Sequence, residues 1–214
     1  MEGVTYPYIE QYLRNIIEES PSKLLEIEAY AEINHIPIIS KEVSQLLKFL
    51  INIKRPNKIL ELGTAIGYSA ISMAIFSDNK AHITTIERDE KMVEKAIENI
   101  EKFELKDNIK IIEGECLEVL ESLNDRYDFV FIDAGKGHYN HFHPHCMRLL
   151  NKDGIIVADN VLFRGMLASK DLVKRRKITI VKRMRKYIEE ITHDKSLIVS
   201  ILPMSDGIAL IYRR

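Results

Sequence analysis

The chain has 214 residues, 46% of them hydrophobic and 29% charged, with a formal net charge of −1. That length supports one substantial core, and the composition is that of an ordinary globular chain. The charge balance removes any global pull toward nucleic acid or membrane, and no apolar run approaches the ~18 residues of a membrane span.

The first quarter reads as helices. Residues 8–19 are periodic, Ser22 can cap a helix running to about Asn34, Pro37 interrupts, and 41–53 is amphipathic. The period then changes. KILEL (58–62), HITTIE (82–87), IKIIE (109–113), DFVFID (128–133) and GIIVAD (154–159) have the length and β-branched content of buried strands. Helix-like stretches at 69–76, 90–104, 117–123 and 139–150 alternate with them. Such alternation predicts an α/β fold, a doubly wound parallel sheet with helices on both faces. A basic helix over about 174–191 and strands at 196–202 and 207–212 close the chain.

Ligands of open α/β sheets bind beyond the carboxyl ends of the strands, so the residues after each strand carry the functional signal. Gly63 and Gly67 in ILELGTAIGYSA bracket a tight turn into a helix, where small residues and free N–H groups admit a ligand. The turn lacks the third glycine of a dinucleotide fingerprint. Glu87 ends the second strand and can accept hydrogen bonds from two ribose hydroxyls. Gly114, Glu115 and Cys116 follow the third strand.

Asp133 ends the fourth strand, and Asp159 and Asn160 end the fifth. If those strands are neighbours, two carboxylates and an amide oxygen converge as hard ligands suited to Mg²⁺ or Ca²⁺. Lys136 follows Asp133 by three residues. A lysine beside a divalent cation gives up its proton more readily, which suits a base.

Four ordered motifs, ILELGTAIGYSA, TIERDEK, FVFIDAGKGHY and IVADNVLFRG, together resemble the cation-dependent O-methyltransferase family that includes catechol and caffeoyl-CoA O-methyltransferases. The resemblance implies a Rossmann-like class I methyltransferase dependent on S-adenosylmethionine (SAM). Its seven-stranded sheet would form one domain over 1–214, with the helices of 1–55 covering the site. By that resemblance Glu61, Gly63 and Ser69 hold the methionine part of SAM, and Glu87 holds the ribose. Gly114, Glu115 and Cys116 border the adenine, and Ile38 and Ile39 belong to the segment that closes over SAM. Asp133, Asp159 and Asn160 bind Mg²⁺, Asp133 also lies near SAM, and Lys136 is the base. A homodimer is expected.

EAYAEINHIPIISKE, GTAIGYSA, ERDEK and DNVLFRG, followed by an Arg/Lys-rich helix, resemble more closely a bacterial subgroup. That subgroup methylates 5-hydroxyuridine at the tRNA wobble position to 5-methoxyuridine. Glu115-Cys116 departs from the Asp-Ala usual there. The alternative acceptor is a small catechol-like molecule with vicinal oxygens.

Charge distribution favours RNA. Segment 164–186 carries ten basic residues, Arg164, Lys170, Lys174, Arg175, Arg176, Lys177, Lys182, Arg183, Arg185 and Lys186, against Asp171 alone. Tyr139, Phe142 and Phe163 could stack on a flipped base, although core packing explains most such aromatics. His138, His141, His143 and His145 lack a partner cysteine or acid at zinc spacing and read as surface histidines. The missing glycine argues against an NAD-dependent dehydrogenase, and the metal-and-lysine set argues against a non-catalytic RNA-binding module. Cys116 and Cys146 form no Cys-x-x-Cys pattern, and the N-terminus lacks the basic and apolar regions of a signal peptide. A cytoplasmic, membrane-free location is therefore expected.

Overall fold

The computed structural model describes residues 4–214. Three helices come first, α1 (Pro7–Ile16), α2 (Ser22–Ile33) and α3 (Lys41–Lys54). Ser22 does not cap α2. Pro21 holds the cap position in an extended conformation (φ −49°, ψ 145°), and Ser22 is the first helical residue. The proline ring sets the entry angle without a side-chain acceptor. Ser40 does cap α3, accepting from the Val43 N–H. Arg14 of α1 binds the buried Glu42 of α3 at 2.6 Å, which ties the first helix down.

Strands and helices then alternate: β1 (Lys58–Leu62), α4 (Tyr68–Phe76), β2 (His82–Glu87), α5 (Glu90–Lys102), β3 (Ile109–Glu113), α6 (Cys116–Ser122), β4 (Tyr127–Ile132), α7 (Tyr139–Leu149) and β5 (Leu150–Ala158). After a 3₁₀ turn at Arg175–Lys177 come α8 (Ile178–His193), β6 (Leu197–Leu202) and β7 (Ile208–Arg213). Most boundaries shift by one to three residues, and two shift by four. β5 begins four residues early, where Leu150 pairs with Tyr127 across a register shift. The basic helix starts only at Ile178, without a side-chain cap, so six of the ten basic residues of 164–186 precede it, three of them in the 3₁₀ turn.

The sheet has seven strands in the order β3-β2-β1-β4-β5-β7-β6, with β5–β7 and β6–β7 antiparallel and the other pairs parallel. The order reverses between β1 and β4, which places the crevice there. The strands read as unbroken apolar runs because both faces are covered. Their side chains still alternate. Ile59, Ile83, Phe129, Phe131 and Val157 pack in one cluster with α2, α3 and α4. Leu60, Leu62, Val130, Ile132 and Ile156 pack in the other with α6, α7 and α8.

His143 corrects the surface reading of the histidine cluster. One face of α7 packs on α8, which sets the His143 ring edge-on to the buried Tyr187 at 5.5 Å. Burial lowers its pKa from 6.5 to about 4, against the pull of Asp194 and Glu190. A depressed folded-state value means the unfolded chain takes the proton first. The associated stability is full above pH 6.5 and is lost as pH falls toward 4. His143→Gln should therefore flatten the decline of Tm between pH 6.5 and 4.5, by an amount on the order of 2 kcal/mol, in a thermal-melt pH series.

Among the described residues, no helix is long and apolar enough to cross a membrane.

Candidate active site

The glycine turn after β1 is built by its neighbours. Gly63 (φ +101°), Ala65 (φ +44°) and Gly67 (φ +84°) all take positive φ. Asn99 of α5 donates to the Ile66 carbonyl at 2.8 Å and holds the turn. A Cβ on Gly63 would lie 3.1 Å from the Asp133 carbonyl oxygen, so the β1 and β4 ends approach closely only because this residue is glycine. Gly63→Ala should cost about 1–3 kcal/mol of stability. It should also weaken cofactor binding, as read by calorimetry and thermal melting.

Glu61 lies at the floor of this turn with no exposed surface. One carboxylate oxygen accepts from the Thr85 hydroxyl at 2.6 Å, and Thr85 pairs in turn with Thr64. The other oxygen has no hydrogen-bond partner. Burial pushes the Glu61 carboxyl up to about 7, against the pull of the Ser69 and Thr85 hydroxyls. A buried carboxylate with one orphaned oxygen is a receptor for a cation. Ser69 lies at the start of α4, buried beside it.

Glu87 ends β2 and accepts from the Ala65 N–H at 2.9 Å and from the Arg88 and Asp89 N–H groups. Its carboxylate is thereby fixed against the glycine turn, with lone pairs remaining for further donors. Gly114 donates its N–H to the Glu87 carbonyl, which brings the β3 end alongside. Glu115 is exposed and pairs with Arg88 at 3.1 Å, and Cys116, the first residue of α6, is partly buried. Ile39 is buried in the α2–α4 cluster, with Ile38 packed against it.

β4 and β5 are neighbours, with Ile132 paired to Ala158, so Asp133 and Asp159 leave adjacent strand ends. The Asp159 N–H donates to the Ile132 carbonyl, and the Asp133 N–H to the Leu62 carbonyl. Asp159 is 2% exposed and accepts from the Asn160 N–H, and Asn160 takes a left-handed conformation (φ +58°). Asparagine tolerates that region better than most residues. Burial raises the Asp133 carboxyl well above the ordinary range, and Asp159 adds to the rise while Lys136 opposes it. Burial likewise lifts Asp159 to about 6, against the Asn160 N–H and Lys136. The buried Asp159 and the half-buried Asp133, with Lys136 the one cation among the described residues acting on both, leave surplus negative charge when ionised. The donor set of two carboxylates and an amide fits a hard divalent cation.

Lys136 is partly buried, with its Nζ 3.9 Å from Asp206. Sequence reasoning missed two residues that shape this end. The Tyr139 hydroxyl lies within hydrogen-bond distance of the Ile132 and Asp159 carbonyls (3.2 and 2.9 Å), so it braces the two acid-bearing strand ends. Asp206 comes from the β6–β7 turn and is 3% exposed. Neither has a local motif. In sequence Tyr139 looks like a stacking or core aromatic, and Asp206 like any turn aspartate.

The sheet order, the glycine turn at the reversal point and the acids on the next strand ends define a class I SAM-dependent methyltransferase fold. Comparison with known proteins narrows this. A family model described as O-methyltransferase matches residues 15–214. The chain belongs to that family of SAM-dependent enzymes. A Populus kitakamiensis caffeoyl-CoA O-methyltransferase is 27% identical over 99% of this chain and 90% of its own length. A Staphylococcus aureus structure, provisionally described as a caffeoyl-CoA O-methyltransferase, is 33% identical with a TM-score of 0.89, covering 97% of this chain and 100% of that one. A methyltransferase of Podospora anserina solved with bound SAH is 26% identical with a TM-score of 0.88, covering 97% of this chain and 94% of that one.

Proposed function

We propose that the protein is a Mg²⁺-dependent, SAM-dependent O-methyltransferase whose acceptor is 5-hydroxyuridine at the tRNA wobble position, giving 5-methoxyuridine. The observation that carries this reading is a pair of carboxylates, opposed among the described residues by Lys136 alone, at the head of an exposed cationic segment that runs into α8. Arg164, Lys170, Lys174, Arg175, Arg176, Lys177, Lys182 and Arg183 are all exposed, on the chain that leaves Asp159 and Asn160. That arrangement suits an acceptor with two adjacent oxygens at the acids and phosphates over the loop.

In this reading Glu61 binds the amino group of SAM through its orphaned oxygen, and Glu87 takes the ribose hydroxyls. Gly114, Glu115 and Cys116 border the adenine, and Ser69 and Ile39 line the methionine side. SAM bound there supplies an electrophilic methyl group. Asp133, Asp159 and Asn160 would hold Mg²⁺, which supplies Lewis acidity toward vicinal oxygens. Lys136, once it has given up its own proton beside the bound cation, would accept the proton of the attacking hydroxyl. The β1 and β4 ends hold donor and acceptor in line. Tyr139, Phe142 and Phe163 are buried in the core, so stacking on the base is left to other groups. Arg185 caps the Met166 and Leu167 carbonyls and is structural. Phe49 and Ile53, one turn apart on α3 and exposed, offer an apolar face for the expected homodimer.

The second reading is a small catechol-like acceptor with vicinal oxygens. The discriminating experiment incubates the protein with SAM, Mg²⁺ and tRNA containing 5-hydroxyuridine, followed by nucleoside mass spectrometry. Formation of 5-methoxyuridine that falls steeply with added salt is expected. Methylation of 3,4-dihydroxybenzoate with no product on tRNA would replace the tRNA reading with the second.

A further inference from the structure

The β6–β7 turn carries an aspartate whose bonds do not serve its own hairpin. A turn aspartate ordinarily accepts from backbone N–H groups one or two residues on. Here Asp206 accepts from the Arg164 N–H with one carboxylate oxygen, and its other oxygen faces Lys136 Nζ at 3.9 Å. Those partners are 42 and 70 residues away in sequence. The backbone of the same turn reinforces the first contact. The Leu162 N–H donates to the Asp206 carbonyl and the Val161 N–H to the Gly207 carbonyl, both at 2.9 Å. A Cβ on Gly207 would lie 2.8 Å from the Leu162 nitrogen, so the turn and loop meet at backbone contact. Phe163 and Met166 then pack on Val181 of α8, which seats the start of the cationic loop.

We propose that Asp206 is a positioning residue that couples the seating of the 160–177 loop to the placement of Lys136, one carboxylate oxygen serving each. The Lys136 distance is that of an ion pair rather than a tight hydrogen bond. It restrains the ammonium while leaving it free to turn toward the acid-bearing strand ends. An acceptor gripped by the loop would thereby also fix the pose of the lysine. The inference rests on the reading of Lys136 as the base only for its effect on turnover, since the loop arm stands independently.

Two variants separate the arms. Asp206→Asn keeps an oxygen for the Arg164 N–H but loses the charge facing Lys136, and Asp206→Ala loses both. Asp206→Ser takes the place of alanine if that chain does not fold. For Asp206→Asn the expected result is a kcat on 5-hydroxyuridine tRNA lowered on the order of 10- to 100-fold. Its acceptor KM and SAM affinity should stay near wild type, and its loop should stay as resistant to trypsin as the wild-type loop. For Asp206→Ala, cleavage after Arg164 and the lysines and arginines of 170–177 should accelerate on the order of 10-fold, followed by mass spectrometry. A wild-type cleavage rate in Asp206→Ala overturns the loop arm. A wild-type kcat in Asp206→Asn overturns the lysine arm. If the wild-type protein methylates neither tRNA nor 3,4-dihydroxybenzoate, the proposed function fails, and acetic anhydride labelling of Lys136 then decides the lysine arm. Faster labelling in Asp206→Asn supports it, and unchanged labelling overturns it.

Discussion

Asp159→Ala is expected to lower methyl transfer by at least about a hundredfold, with no rescue by excess Mg²⁺. Loss of a Lewis acid that would favour ionisation of the attacking hydroxyl is worth several kcal/mol, and each 1.36 kcal/mol is a factor of ten. SAM affinity should change little, because Asp159 follows β5, beyond β4 from the glycine turn. The metal-free fold should tolerate the change well. Asp159 is lifted to about 6 by burial, so its removal relieves a desolvated carboxylate beside Asp133. The wild-type protein stripped with chelator should lose activity similarly but recover it fully on adding Mg²⁺. Full activity in excess chelator would overturn the metal role. Residual SAM binding in the variant, measured by calorimetry, distinguishes lost chemistry from lost folding.

Glu61→Gln is expected to move stability and cofactor binding in opposite directions. The folded-state pKa of Glu61 is raised from 4.5 to about 7 by burial. A raised value means the folded chain holds the proton more tightly than the unfolded one. Its stability contribution is therefore full below pH 4.5 and is lost as pH rises through 7. At pH 8 the unliganded protein carries the whole cost, roughly 3 kcal/mol. Glutamine removes that cost, so the unliganded variant should melt higher than wild type at pH 8 and equally at pH 4.5. The amide cannot match a carboxylate as partner for the amino group of SAM. A charge-assisted hydrogen bond of about 1.5–3 kcal/mol should be lost, which corresponds to a 10- to 150-fold weaker Kd. Thermal melts with and without SAM across pH read both effects. A variant that binds SAM as wild type does would remove Glu61 from the cofactor site.

The bound sites of such an enzyme are written in the sequence very unevenly. Period and composition sufficed for the first three strands to the residue, because 58–62, 82–87 and 109–113 are short β-branched runs closed by charged or glycine residues. Strand ends carrying Glu61, Glu87, Asp133 and Asp159 stand out for the same reason, since polar groups that close apolar strands emerge at one edge of a parallel sheet. Chain-order motifs then sufficed for family resemblance. What the sequence could not supply was adjacency. Only the order β3-β2-β1-β4-β5-β7-β6 makes Asp133 and Asp159 neighbours and sets the glycine turn against the Asp133 carbonyl. Hydrogen bonding between strands carries no local signature. The basic segment showed its charge but not its form. Without a capping residue before Ile178, much of it stays a loop seated by contacts from elsewhere. His143 was misplaced because helix periodicity does not say which face meets α8. The bracing role of Tyr139 and the position of Asp206 at the site carry no local signal, because the Tyr139 hydroxyl reaches the Asp159 carbonyl 20 residues on and Asp206 reaches the Arg164 N–H 42 residues back. Local pattern thus determined the elements and the chemistry at their ends. Packing alone decided which ends meet, because contact free energy is paid between segments distant in sequence.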